Sequence, residues 1–266
     1  MFDTHPNTRR TPTVWLFAAL WLLLPISTLA EDGDAFAAAI GKAHGAQSWH
    51  GHNAFAAEIH LAFGGNTVID GTLLTRTDTS GVRIEQKSGA VAVWDGQDAW
   101  VTPTADAFPG ARFHVLTWPY FLAAGVKLQD PGTHLETLGK MTLHGEEYDT
   151  ARLTFGDGVG DTPDDWYILY REPGSHRLKA MAYIVTYGTP QEKAEEEPHV
   201  IVYSDFVPVD GVAIAKSWAF YNWNEQDGAH GDPIGAVKIT NPRFVTPPAG
   251  AFIRAEGAVV DALPGS

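Results

Sequence analysis

The stretch Trp166–Val185, WYILYREPGSHRLKAMAYIV, reads as two short strands about a turn, and neither strand has a clean polar face. Successive side chains of an extended chain point to opposite sides. Trp166, Ile168 and Tyr170 therefore share one side, and Tyr167 and Leu169 the other. On the return, Leu178, Ala180, Ala182 and Ile184 oppose Arg177, Lys179, Met181, Tyr183 and Val185. A sheet that is apolar on both sides needs cover on both sides. The fold follows from what this chain has to supply it.

Upstream of the hairpin the chain is mostly strand. In AFAAEIHLAF, from Ala54, the apolar residues Phe55, Ala57, Ile59, Leu61 and Phe63 alternate with Glu58 and His60. VIDGTLLTRT follows after a Gly64-Gly65-Asn66 turn, then VRIEQ, then AVAVWDGQDAWV as a hairpin about Asp95-Gly96. LHGEEYDTARLTFG forms a further hairpin, with Ala151, Leu153 and Phe155 on one face. Downstream, HVIVYSDFVPVDGVAIAKSWAFYNW turns about Asp210-Gly211, and IGAVKITNPRFV gives the last strand. Short neighbouring strands joined by tight turns pair antiparallel. The expected sheet has roughly ten strands.

Two segments break the period of two. GDAFAAAIGKAHGAQSW (Gly33–Trp49) carries Phe36, Ala39, Ile40 and Ala43 at helical spacing, with Asp34 as the expected N-cap and Gly45 as the stop. FPGARFHVLTWPYFLAAGVKLQDPG (Phe108–Gly132) suits one or two short helices interrupted before Pro119. A helix is about 10 Å across and strands are about 4.8 Å apart, so each helix covers about two strands. Two helices cannot cover the whole surface. The sheet must close into a packed barrel, split into a sandwich, or curl around a cavity that the helices only partly fill. Trp118, Tyr120, Phe121 and Leu122 offer more apolar area than one helix face needs, which suits a lid over a hollow sheet as well as an ordinary core helix.

Composition narrows the function. Of 266 residues 44% are hydrophobic and 19% charged, as in a globular protein, and there is no cysteine, hence no disulfide, thiolate site or thiol nucleophile. The first thirty residues pair Arg9-Arg10 with the apolar run WLFAALWLLLPI and end in STLA, the pattern of an export leader cleaved after Ala30. The run is short for a bilayer span. The formal charge of −14 becomes one unit more negative once a leader carrying Arg9, Arg10 and Asp3 is removed. Such a surface repels nucleic acid and anionic lipid headgroups. The expectation is an exported, soluble, monomeric periplasmic protein, with residues 31–266 as a single domain.

No local signature of catalysis is present. The sequence lacks G-x-S-x-G, a P-loop, H-E-x-x-H and a dinucleotide fingerprint. His50 and His52, two apart, would share one face of a strand and reach one Zn²⁺, but no third and fourth ligand lies at a familiar spacing. The reading is therefore a non-enzyme with no cofactor and no metal. A metal-dependent enzyme at His50 and His52 and an exported β-barrel with a packed interior are the alternatives.

The order of parts resembles the periplasmic lipoprotein carriers and outer-membrane lipoprotein-sorting proteins, the LolA/LolB-like family. The matching run is Gly71–Pro103, with a Gly-led strand ending in Arg76, a second strand, and a hairpin about Asp95-Gly96 ending in Trp100. An apolar helical segment follows at Phe113–Val126, then the strand–Pro–turn–strand unit at Trp166–Val185, then a strand after the Asp210-Gly211 turn. The resemblance implies a mainly β (α+β) fold. It would be a curved antiparallel half-barrel with an N-terminal helix and a helical lid, whose cavity takes lipoprotein acyl chains or another lipid. It also implies a membrane-protein donor or acceptor. The family's strand-end arginine bonds lid carbonyls. Arg76 is the matching position, although the family usually has proline next where this chain has Thr77, and Arg83 is the alternative match. On the residues alone, Arg76 either finds lid carbonyls for its five donors or is exposed at a strand end. The expected ligand-binding set is Arg76, Trp94, Trp100, Trp118, Tyr120, Phe121, Leu122, Trp166, Ile168 and Trp218. The loops Gly156–Pro163 and Thr189–Pro198 are additions to the family's plan.

Overall fold

The computed structural model describes residues 1–3 and 31–264; the expected leader and its cleavage point lie outside the described residues. The chain enters through a helix, α1 (Gly33–His44). Asp32 accepts from the backbone N–H of Ala35 at 2.7 Å and is the N-cap, two residues earlier than the expected Asp34. Gly45 takes a left-handed conformation and ends α1, and a short helix, α2 (Ala46–His50), follows at once.

Five strands then run back and forth: β1 (Ala54–Phe63), β2 (Asn66–Arg76), β3 (Val82–Gln86), β4 (Val91–Trp94) and β5 (Ala99–Thr102). A long helix, α3 (Ala111–Lys127), leads to a second series: β6 (Thr133–Leu143), β7 (Glu146–Phe155), β8 (Tyr167–Arg171), β9 (Leu178–Tyr183), β10 (His199–Val209), β11 (Val212–Asn224) and β12 (Gly228–Val245). A one-turn helix, α4 (Gln191–Ala194), precedes β10, and β13 (Val259–Val260) closes the chain. The sheet has thirteen antiparallel strands among the described residues, in the order β13-β5-β4-β3-β2-β1-β12-β11-β10-β9-β8-β7-β6. The count exceeds the expected ten, but the architecture is the expected open, mainly β one. The edges β13 and β6 do not pair, which removes the closed-barrel alternative.

This order dictates where α3 must lie. β5 is next to one edge of the sheet and β6 is the other edge. The chain between them has to cross a face, and α3, 17 residues or about 25 Å long, makes the crossing. Pro119 is inside α3 and buried, whereas the sequence reading broke the helix before it. Proline costs a helix one backbone hydrogen bond. Val115, Trp118 and Phe121, all buried around it, supply the packing that holds the helix through that position.

The main core lies under α1, α2 and α3, against Phe55, Ile59 and Leu61 of β1, Leu73 of β2, Ile84 of β3, Leu169 of β8, Ile201 of β10, Phe220 of β11 and Ile239 of β12. The opening hairpin contributes Tyr167, Leu169, Met181 and Tyr183 to this core. Its other side forms a second core with Trp166, Ile168, Tyr170, Ala180, Ala182 and Ile184. Leu178, expected beside Ala180, belongs to the main core instead, because the β8–β9 register shifts between the pairs Tyr170–Ala180 and Arg171–Leu178.

The cover for that second side comes from loops and strand ends. Trp223 and Ala229, from the β11–β12 turn, and Leu143, from the β6–β7 turn, pack there with Ala194 of α4. A Cβ on Gly228 would run into the carbonyl of Thr142, so the two turns meet as backbone against backbone. Trp223 Nε1 donates to Tyr170 Oη at 2.7 Å, and Trp166 Nε1 to Glu195 at 3.0 Å. The charged Thr189–Pro198 connector thus covers apolar sheet through Ala194 and Glu195. A third, smaller cluster joins Val93 and Trp100 to Ala258 and Phe252 of the C-terminal segment. That segment also pairs with β5 through Val259 and Val260.

Candidate functional site

Beneath α3 the main core is incomplete. A cavity of about 440 Å³ lies between Leu116, Thr117, Tyr120 and Phe121 of the helix and the strand residues Phe155, Tyr167 and Tyr183. Trp94, Val82 and the β2–β3 turn bound one end, and Lys127, Asp130 and Thr133 are also part of the wall. The loop residues Val159–Thr162 and the segment Ile184–Tyr187 complete the lining. The wall is mostly apolar, with tyrosines, four aspartates and Lys127 among its polar residues. Sequence parity explains the selection. β7 has a single apolar face, Ala151, Leu153 and Phe155, and its register sets Leu153 opposite Tyr167 and Ala151 opposite Leu169. The Tyr167 face of the hairpin is therefore the inner one.

Two ion pairs and a hydrogen-bonded carboxyl border this space. Arg112, in the first turn of α3, holds Asp161 through two hydrogen bonds of 2.5 and 2.8 Å. The same guanidinium lies 5.0 Å above the ring of Trp94. The backbone N–H of Arg112 donates to Asp261 at 2.8 Å, so the C-terminal segment caps the helix. The loop expected as an addition to the family plan, Gly156–Pro163, is thereby pinned to α3. At the far end of the helix Lys127 pairs with Asp130. Asp165 accepts from the N–H and hydroxyl of Thr186 at 2.7 and 2.8 Å and from Thr162 at 2.8 Å. Burial nevertheless raises its pKa, and the three hydrogen bonds oppose that shift.

The tyrosines differ in how they are satisfied. Tyr203 donates to the carbonyl of Phe121 at 3.0 Å. The hydroxyl of Tyr120 is buried and has no hydrogen-bond partner. Burial pushes the pKa values of Tyr120, Tyr167 and Tyr183 upward, so all three remain phenols. His114, one turn before Trp118, accepts from the Trp118 indole N–H at 2.8 Å. Burial lowers its pKa to about 4 and keeps it neutral.

Of the ten expected ligand-binding residues, Trp94, Tyr120 and Phe121 line the cavity. Trp118, Leu122 and Trp218 pack in the surrounding core, with the Trp218 indole donating to the carbonyl of Ala215 at 2.9 Å. Trp166 and Ile168 face the second core, on the far side of the sheet from α3. Trp100 lies under the C-terminal segment. Arg76 is exposed and stacks 5.1 Å over Phe252. On β2 the inward residues are Ile69, Gly71, Leu73 and Thr75, so Arg76 falls on the outer face by parity. Arg83 also turns outward, to Glu85 and the carbonyl of Ala251. Neither arginine bonds α3; the arginine that secures the helix is Arg112, within the helix itself. His50 ends α2 rather than lying on a strand, and His52 stacks on Phe244 at 3.9 Å. No group of three histidines or carboxylates fit to hold a metal occurs among the described residues.

No family model matches the sequence, and no curated protein matches it. Solved structures do. A LolA superfamily protein from Nitrosomonas europaea superposes with a TM-score of 0.52 and 11% identity, covering 85% of this chain and 99% of that one. A DUF1329 family protein from Desulfovibrio piger gives 0.51 and 11%, covering 82% of this chain and 96% of that one. At these identities the likeness is one of fold: the open half-barrel with a helix across its concave face.

Proposed function

We propose that this protein is an exported, periplasmic carrier that shelters one apolar chain, from a lipid or an acylated protein, under α3. The observation that carries the reading is the 440 Å³ cavity with its mostly apolar wall, placed where the topology forces a helix to cross the sheet. Ligand pockets typically measure about 300–1,000 Å³. The fold shared with a LolA superfamily protein supports the same class of cargo. A carrier also needs a donor and an acceptor, for which membrane proteins are the natural partners. The role is binding rather than catalysis, and the protein acts as a monomer without a cofactor.

Native mass spectrometry of the purified protein tests this directly. The expected result is a population heavier by the mass of one acyl-chain lipid, lost on organic extraction and restored by a fluorescent fatty-acyl probe at one site. Absence of both bound lipid and probe binding would reject the carrier reading.

A further inference from the structure

The first turn of α3 is capped from far along the chain. Gly110 precedes the helix and has no side chain to offer, and the backbone N–H of Arg112 is taken instead by the carboxylate of Asp261 at 2.8 Å. A helix starts with N–H groups that have no partner within it; a carboxylate there satisfies one of them and complements the positive end of the helix dipole. The segment that supplies Asp261 is a strap. It leaves β12 after Val245, lays Phe252 against Gly81 and under the Arg76 guanidinium, packs Ala258 with Val93 and Trp100, and pairs β13 with β5. The N–H of Asp261 then donates to the carbonyl of Ala99 at 2.9 Å, and Pro264 lies beside Gly188, next to the cavity-lining residues 184–187.

This strap grips the helix and is itself held by little. β13 is two residues long, the shortest strand of the sheet, with Val259 opposite Val101 and Val260 opposite Trp100. Ile253, Val259 and Val260 stay exposed, so closing the strap removes little of their apolar area from water. Elements with so little burial are the ones that open locally while the rest of a fold stays intact. Lifting β13 carries Asp261 away from Arg112. The pair between the Arg112 side chain and Asp161 is then left to hold that end of α3 over the cavity.

Building on the carrier reading, we infer that residues 246–264 are the clasp of the cavity: α3 lifts from its N-terminal end once β13 leaves β5, and the pairing of these two strands sets how often cargo enters and leaves.

The chain has no cysteine, so a cysteine pair at the facing positions 101 and 259 makes a reducible lock. Facing Cα atoms of an antiparallel pair are about 4.5–5.5 Å apart, within the span of a disulfide. In Val101→Cys/Val259→Cys, oxidation should slow stopped-flow release of a fluorescent fatty-acyl probe about tenfold relative to the same protein reduced, and should slow amide hydrogen exchange over residues 111–118 of the ligand-free protein by a similar factor. Asp261→Ala should do the reverse, with both rates about fivefold faster. A gate alters entry and exit alike, so probe affinity in Asp261→Ala should stay within about twofold, whereas a damaged cavity would lose affinity. Equal rates in the oxidised and reduced protein, or unchanged rates in Asp261→Ala, overturn the clasp while probe binding keeps the carrier reading. Hydrogen exchange that follows the lock in a protein that binds no probe supports the clasp over α3 and overturns the carrier reading instead.

Discussion

The two sides of the Trp166–Val185 hairpin are built from the same residue types and finish differently. On the outer side Trp166, Ile168, Tyr170, Ala182 and Ile184 are sealed by Trp223, Leu143 and Ala194, and the indoles of Trp166 and Trp223 both have acceptors. On the inner side Tyr167 and Tyr183 face a helix that leaves 440 Å³ unfilled, and the Tyr120 hydroxyl has no partner. Aromatic content therefore does not mark the site. What marks it is the kind of cover: interdigitated strand turns fill the outer side, whereas one helix spanning from edge to edge cannot fill a concave surface.

The largest test of that contrast is Trp223→Ala. It removes a packed indole and its bond to Tyr170, and should cost about 3–5 kcal/mol in denaturant unfolding while leaving ligand affinity unchanged. Phe155→Ala on the inner side should cost clearly less, because part of its ring already faces empty space, yet should weaken ligand binding. If the two variants were equally destabilising and equally neutral for binding, the distinction between a filled and a hollow side would fail.

Acid should act on the inner side next in size. His44 ties α1 to the sheet and to α3: Nε2 accepts from the N–H of Leu178 at 2.9 Å, and the ring lies so close to Gly125 that a Cβ there would come within 2.5 Å of it. Burial, reinforced by the charge of Arg177 and opposed by a hydrogen bond with Ala213, lowers its pKa to about 4. The unfolded chain takes up this proton near pH 6.5, while the folded protein resists it until about pH 4. Stability is thus complete above pH 6.5 and falls as the pH drops through that interval, by about 3 kcal/mol for this residue. His114 adds to the same trend. Equilibrium unfolding at pH 7 and pH 4 measures the loss, and a flat profile would contradict it.

Much of this arrangement was legible in the chain and some was not, for definite reasons. The β1–β2 hairpin was legible because Phe55, Ala57, Ile59 and Leu61 alternate with polar residues. The inner face of the opening hairpin was within reach: β7 has one apolar face, and pairing Leu153 with Tyr167 transfers that choice to β8. Parity on β2 likewise placed Arg76 outside, beside Thr72 and Leu74, had the buried side of Ile69 and Leu73 been taken as the reference. Trp223 was not within reach. It acts across the sheet on Tyr170, after a register shift between Phe220 and Asn222 that no local pattern announces. The latch between Arg112 and Asp161 joins positions 49 apart through a glycine-rich loop without periodicity, and nothing local pairs them.

Two arginines turn the remaining contrast into a graded experiment. Asp161→Asn frees Arg112 in a partly buried setting and should cost about 1–2 kcal/mol. It should also speed probe release about five- to tenfold, because the loop over the cavity loses its hold on α3. Arg76→Ala should do far less. The side chain is exposed on the outer face and its partner is the Phe252 ring, a contact worth about 0.5–1 kcal/mol, so stability should fall by no more than that. Probe affinity and release should not change, because no atom of Arg76 reaches the helix that roofs the cavity. A strand-end arginine that bonded lid carbonyls would give the opposite result, with faster release from Arg76→Ala than from Asp161→Asn. Stopped-flow release measured on the two variants side by side therefore decides whether this chain secures its lid from the strand, as the resemblance implied, or from the lid's own first turn.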